Sequence, residues 1–277
     1  MRSFFFIPAN VKKYISSVNL IDATDIVFDL EDALGNSSVT TGLQNLVNIS
    51  NAEKYWVRIG ISNDEEHNLK VVIELLNIGF KRFILPKVEE VFQVDEFIIL
   101  LESITNIKFE VLVLIESPLG VINADIICEH NDVSTIGFGS HDYCNIVGMT
   151  HSLENISWAR QKILNSGRAY GKEIIDVTSM NVRDEKAFEE ECINGKNMGF
   201  DGKFLIHPCQ LGVFKKVWQF SYEEIAFAIK VKNEVDSIGG VENFTVLKID
   251  GNVVEKPHLG RINKILKQTN NGGIKTW

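Results

Sequence analysis

Eight times along this chain a short, β-rich apolar run stops at a proline or at a charged or polar side chain. In order they are SFFFIPAN (3–10), DIVFDLED (25–32), YWVRIG (55–60), RFILPK (82–87), EVLVLIES (110–117), STIGFGSHD (134–142), KEIIDV (172–177) and KFLIHP (203–208). The stretches between them are long enough for a helix each. Strand–helix alternation repeated eight times predicts an α/β protein with a (β/α)8 TIM barrel. In that fold catalytic groups stand where strands end, so the run ends are also a list of candidate site residues. The chain has 277 residues, room for one barrel and a short addition. The expected division is a catalytic barrel over 1–240 and a helical/β extension over 241–277.

The connecting segments carry helix signals. After the third run, Ser62 and Glu65 form a capping-box pattern, and Asp64 and Glu65 suit the positive end of a helix dipole. Leu69, Val72, Ile73 and Leu76 give an apolar stripe, and Gly79 can close the helix. Further helices are expected at 153–169, 184–197, 208–219, 221–235 and 258–268, with two strands about a Gly turn at 246–257. Of the five prolines, Pro8, Pro86, Pro118 and Pro208 punctuate strand ends, where a ring that cannot continue the ladder belongs.

Composition narrows the classes. With 45% hydrophobic and 23% charged residues, the chain reads as an ordinary globular protein. No apolar stretch approaches the roughly 18 residues of a membrane-crossing helix, so no membrane partner is expected. Arg2 and FFFI read as the first strand rather than a secretion signal, because the apolar run stops at Pro8. The four cysteines lack metal-ligand spacing and form no CxxC pair, which points to a cytoplasmic protein without a disulfide framework or structural zinc. A formal net charge of −9 argues against nucleic acid.

Several run ends carry chemistry. Glu116 and Asp142 close the fifth and sixth runs, neighbours in a barrel, and two adjacent carboxylates can share one hard cation such as Mg²⁺. They are equally readable as a solvated acidic rim or as ion-pair partners. Arg58 falls inside a strand that should be buried, where a guanidinium must find an anion. That anion is either a substrate carboxylate or a structural one such as Asp29 or Glu31. Asp29, Glu31 and Asp32 end the second run, and by alternation only some of them face the mouth. Lys87 ends the fourth run, Lys203 opens the eighth and His207 ends it. His141, beside Asp142, is expected on a mobile loop. No Ser/His/Asp arrangement stands out, and no Gly-rich phosphate loop is present.

Together RSFFFIPAN, DIVFDLEDA, VRI, ILPKVEE, LIESPLGVINADII, GFGSHD, AR at 159–160, GFDGKFLIHPCQ at 199–210 and IDGNVVEKP resemble the citrate lyase β-subunit-like family. That family includes malyl-CoA and citramalyl-CoA lyases and is related to the hydroxy-keto-acid aldolases. The resemblance implies Mg²⁺ on Glu116 and Asp142. It implies Arg58 on the substrate carboxylate, where it opposes developing negative charge, and the DLED acids around the metal's outer shell, with Asp29 catalytic. It also carries over Gly139 and Pro118 as substrate contacts, and Lys87 and His207 as outer supports. Such proteins are trimers or hexamers, and the acid of the C-terminal motif, here Glu255, reaches a neighbouring subunit's site to handle the proton on the enolate carbon.

The expected function is therefore a Mg²⁺-dependent carbon–carbon lyase that cleaves or forms a β-hydroxy acyl thioester, with a small carboxylate and a CoA thioester as partners. An aldolase acting on free 2-oxo acids such as pyruvate or oxaloacetate is the alternative, and a non-catalytic barrel subunit a third. Two departures from the family pattern stand out. Gly60 follows Val57-Arg58-Ile59 where a polar side chain is usual, and Glu255 stands where an aspartate is usual. The second puts the carboxylate one methylene further out, and a misplacement of about 1 Å can cost on the order of a hundredfold in rate.

Overall fold

A computed structural model describes residues 1–31, 39–60 and 64–269. Eight parallel strands close into a barrel in sequence order: β1 (Arg2–Pro8), β2 (Asp25–Leu30), β3 (Trp56–Ile59), β4 (Arg82–Leu85), β5 (Glu110–Ile115), β6 (Val133–Phe138), β7 (Glu173–Asp176) and β8 (Gly202–Leu205). The seam is made by β1, which pairs β2 on one side and β8 on the other. Helices occupy the connections: α1 (Lys12–Ser16), α2 (Val39–Leu46), α3 (Glu65–Ile78), α4 (Val91–Ile104), α5 (Pro118–Ile122), α6 (Ala124–Glu129), α7 (Ser140–Val147), α8 (Ser157–Ala169), α9 (Glu185–Met198) and α10 (Pro208–Trp218). Among the described residues no helix is long and apolar enough to cross a membrane.

Several strands stop short of the polar end of their runs, which shifts some expected positions. Asp142 does not close β6; it lies in the first turn of α7, and His141 is on that helix rather than on a loop. The cap of α3 is Asp64, whose carboxylate accepts from the His67 N–H, while Ser62 lies outside the described residues. The buried face of α3 is Val71, Val72 and Leu75, and Ile73 is exposed, so the helix sits one position round from the expected stripe. Gly79 closes it in the left-handed region at φ 109°. Helix α8 starts at Ser157 instead of 153, because Asn155 caps a turn, donating from Nδ2 to the Thr150 carbonyl and from N to Ser152 Oγ.

Side chains alternate along a strand, so every second residue of the eight strands enters the barrel. Three levels result. At the bottom, Arg2 pairs with Asp25 and Glu173, and Arg82 pairs with Glu110 and lies 3.8 Å from Asp25. Two residues further along come Phe4, Val27, Trp56, Ile84, Leu112, Ile175 and Phe204, which pack with Leu114 as one buried cluster. Continuing the same phase, Phe6, Pro8, Asp29, Arg58, Leu114, Glu116 and Ile206 line a cavity at the C-terminal mouth. Gly137 makes the middle level possible, since a Cβ there would stand 2.6 Å from Leu114 Cδ2 and from Phe204 Cε2.

The opposite phase faces the helices. Arg160 of α8 grips Asp176 of β7 through Nε and Nη2 at 3.0 and 2.9 Å, and Lys203 of β8 lies 3.4 Å from the same carboxylate and 3.7 Å from Glu191. All three of Arg160, Asp176 and Lys203 are fully buried. Lys203 is therefore an anchor between strands and helices and does not reach the mouth.

The chain divides into two compact units, Arg2–Val217 and the part from Trp218 onward. The division falls earlier than the expected 240/241, because α11 (Tyr222–Ser237) packs Ala228, Val231 and Val235 against Phe244, Ile249, Val254, Ile262 and Leu266. This second unit holds a hairpin of β9 (Val246–Ile249) and β10 (Asn252–Glu255) and the helix α12 (Leu259–Thr269). The hairpin turn is Asp250-Gly251, both at positive φ (50° and 81°), as a two-residue turn between twisted strands requires.

Replacing Gly137 by Ala should overpack the barrel interior. The expected loss is about 1–3 kcal/mol of unfolding free energy, read from urea denaturation.

Candidate active site

The mouth cavity has a volume of about 480 Å³ and two unlike walls. Phe6, Leu114, Phe204, Ile206 and Met180 make an apolar wall; Asp29, Arg58, Glu116, Ser140, His141 and Asp142 make a polar one. Parallel strands bring the polar groups together because β1, β2 and β3 are in register, with Pro8 opposite Asp29 and Asp29 opposite Arg58.

Arg58 is buried and held by carboxylates of its own chain. Its Nε and Nη2 donate to the two oxygens of Asp29 at 2.8 and 2.6 Å, and Nη1 lies 3.0 Å from Glu31. Burial alone would lower its affinity for a proton, but the Asp29 hydrogen bonds and the nearby acids outweigh it, and the guanidinium is held firmly charged. Both structural acids proposed for Arg58 are thus its partners, and its guanidinium also lines the cavity. Glu31 reaches on to Lys87 Nζ at 2.8 Å.

Glu116 follows β5 and is buried. Lys87, in the left-handed region at φ 54°, donates its backbone N–H to Glu116 Oε2 at 3.1 Å. A non-glycine residue in that region costs backbone free energy, and here the conformation points an N–H at a buried carboxylate. Gly139 gives Glu116 its space, since a Cβ there would lie 2.5 Å from Glu116 Cγ. Burial, then Glu31 and Asp142, push the Glu116 carboxyl up to about 8, against the pull of Arg58 and the Lys87 N–H.

Other expected site residues fall elsewhere. Pro118 is the first residue of α5, where its ring suits a helix start, and it does not line the cavity. His207 is exposed and turned away onto Cys209, with Nδ1 2.9 Å from the thiol sulfur; its neighbour Ile206 faces the cavity. Asp32 lies outside the described residues. Glu255 is exposed at the end of β10 in the second unit, where its backbone N–H donates to His258 Nδ1. Lys87 touches Glu116 by its backbone and Glu31 by its side chain.

One arrangement joins the sixth run end to a residue outside every run. Ser140, buried in the cavity wall, has its Oγ 2.9 Å from Nε2 of His151, and the His151 ring stacks on His141 at 4.1 Å and 10°. The two residues stand eleven apart across α7 and a turn, a spacing without periodic meaning in the sequence. The apolar wall was readable only as alternation along β1, β5 and β8.

Among the described residues no group of three or more His, Cys, Asp and Glu is arranged to hold a metal. Glu116 and Asp142 are a pair of carboxylates, a donor set that suits a hard cation completing its shell with water and substrate oxygens.

The raised Glu116 carboxyl has a consequence for stability. Between about pH 4.5 and 8 the folded protein holds a proton that the unfolded chain has lost, so stability falls as pH rises, by up to about 1.4 kcal/mol per pH unit. Metal-free protein should lose thermal stability across that window, and Glu116→Gln should remove most of the slope. Equal slopes in both proteins would show that Glu116 ionises normally.

Residues 2–208 match the HpcH/HpaI aldolase/citrate lyase family. The chain belongs to that family, which places it among lyase-type enzymes. It is similar to the citrate lyase subunit beta of Leuconostoc mesenteroides subsp. cremoris, with 29% identity over 97% of this chain and 93% of the relative. It is 26% identical to a (3S)-malyl-CoA thioesterase of Cereibacter sphaeroides, over 93% of this chain and 90% of that one. In fold it is similar to the Mycobacterium tuberculosis protein CitE, whose crystal structure is a complex with magnesium, acetoacetate and coenzyme A. The TM-score is 0.79 at 22% identity, covering 96% of this chain and 97% of that one.

Proposed function

We propose that the protein is a Mg²⁺-dependent carbon–carbon lyase that cleaves or forms a β-hydroxy acyl thioester by way of a 2-oxo acid and a thioester enolate. The observation that carries this is the buried Glu116 carboxylate beside Asp142 in the polar wall of a barrel-mouth cavity. The residues present fit the cation. Four carboxylates (Asp29, Glu31, Glu116 and Asp142) stand against the two cations Arg58 and Lys87, and burial, with the neighbouring acids Glu31 and Asp142 adding to it, keeps Glu116 from ionising freely. A divalent ion held by Glu116 and Asp142 would relieve that imbalance, and when bound it supplies Lewis-acid polarisation of the oxo acid's keto group. The magnesium, acetoacetate and coenzyme A bound by CitE support the same reading.

The protein's own residues do the rest. Asp29 fixes the Arg58 guanidinium before substrate arrives, so little ordering remains to be done when charge develops beside it. Gly139 and Lys87 hold Glu116 in place from two sides. The apolar wall of Phe6, Leu114 and Phe204 excludes water from an enolate. Glu255, in a homo-oligomer, handles the proton on the enolate carbon.

Adding Mg²⁺ should raise the melting temperature, more strongly as pH rises towards 8, because the metal takes the ionised carboxylate. EDTA should abolish turnover of malyl-, citramalyl- or citryl-CoA, and Glu116→Gln or Asp142→Asn should each cost roughly a hundredfold or more in kcat/KM. Metal-independent turnover sinks the assignment. Reaction of pyruvate or oxaloacetate with aldehydes, without any thioester activity, would favour the free-acid aldolase. Glu255→Ala and Arg58→Ala proteins, each inactive alone, should recover part of the activity when co-assembled if Glu255 serves a neighbouring copy. No recovery would place its action within one chain.

A further inference from the structure

Cleaving a β-hydroxy acyl thioester requires a base for the hydroxyl proton as the carbon–carbon bond breaks, separate from the group that handles the enolate carbon. The carboxylates of the cavity are committed elsewhere. Both oxygens of Asp29 accept from Arg58, Glu31 is shared between Arg58 and Lys87, and Glu116 and Asp142 are the proposed metal ligands. Ser140, His141 and Thr178 also line the cavity, and of these Ser140 has its hydroxyl against a histidine. Ser140 follows Gly139, which packs on Glu116, and precedes Asp142 by two residues; all four line the cavity.

We propose that Ser140 and His151 form a relay that takes the substrate's β-hydroxyl proton. This rests on the lyase reading above. Ser140 Oγ lies 2.9 Å from His151 Nε2, and the parallel stack on His141 fixes the plane of the His151 ring. Burial holds the His151 imidazole below its usual range, helped by His141 on α7, Lys203 on β8 and Arg160 on α8 and opposed by Glu191 on α9. His151 is therefore neutral, a base, at neutral pH. In the cleavage direction the substrate O–H proton passes to Ser140 Oγ as the serine's own proton passes to Nε2. The carbon–carbon bond breaks, the hydroxyl carbon becomes the carbonyl of the oxo acid, and the electron pair moves to the thioester enolate. The imidazolium returns its proton to solvent. Synthesis runs the same transfers in reverse. Ser140 is the catalytic residue and His151 a positioning and proton-accepting residue acting through it.

The test is the pH dependence of kcat for Ser140→Ala and His151→Gln in the Mg²⁺-loaded enzyme, with Mg²⁺ affinity measured by calorimetry on the same proteins. The relay predicts a 10²–10³-fold loss of kcat in both variants, KM within about threefold, unchanged Mg²⁺ affinity and loss of the acid limb of the pH profile. An unchanged acid limb with kcat within about threefold of the parent overturns the relay and leaves the lyase reading standing. Mg²⁺ affinity lost in step with kcat makes the pair structural and overturns it also. If the parent enzyme turns over none of the three thioesters, the lyase reading fails and takes the relay with it.

Discussion

A closed barrel has one inside, and the two-residue period of its strands decides what goes there. Parallel register carries the phase from strand to strand, with one shift between β5 and β6 at Val111/Leu112, so the choice of face on one strand largely fixes the inward set of the rest. The inward set here is charged below, apolar in the middle and charged again above. The lower charges satisfy one another: Arg2 and Arg82 meet Asp25, Glu110 and Glu173. The upper ones do not balance so well, and the imbalance is concentrated at Glu116. Stability is spent at the mouth and recovered from the aromatic layer beneath it, where Phe4 packs against Trp56 and Phe204.

The outward phase ties β7 and β8 to the helices behind them. Arg160, Asp176 and Lys203 form a fully buried ion cluster between β7, β8 and the helices outside them. Removing one partner of such a cluster strands an uncompensated charge, so it fixes geometry whatever its net contribution to stability. Gln210 adds a second tie, accepting from the Ile206 and His207 N–H groups and donating to the Ser179 carbonyl. The loops after β7 and β8, which carry Met180 and Ile206 into the cavity wall, are thereby joined.

Much of the barrel was legible in the sequence because apolar runs, prolines and polar stops all report the same strand ends. The Asp250-Gly251 hairpin was legible for a local reason, the left-handed turn. Arg58 was legible as a charge that had to find an anion, and its partners were the two acids named for it. The rest depended on where strands yield to helices. Asp142 reads as a strand end because the apolar run leads straight into GFGSHD, yet α7 starts inside that run with Gly139 at its N-cap. The Ser140–His151 contact joins residues across a helix and a turn, and no period marks it. The stripe on α3 was misplaced because two apolar faces, Leu69/Val72/Ile73/Leu76 and Val71/Val72/Leu75, compete, and only packing against the barrel chooses.

The seam of the barrel has a consequence for how the chain comes to be folded. Strand β1 is the first to be synthesised, but its second partner is β8, and Arg2 lies opposite Gly202. Because six strands separate β2 from the end of β8, the edge of β1 that meets β8 is the last to find its partner as the chain is made. An unpaired edge of the sequence SFFFI is a template for another chain. Once β7 has emerged, the charged clasp of Arg2 on Asp25 and Glu173 joins β1 to β2 and β7 across the floor of the barrel, farthest from the chemistry at its mouth, and so holds both sides of the seam that β8 closes.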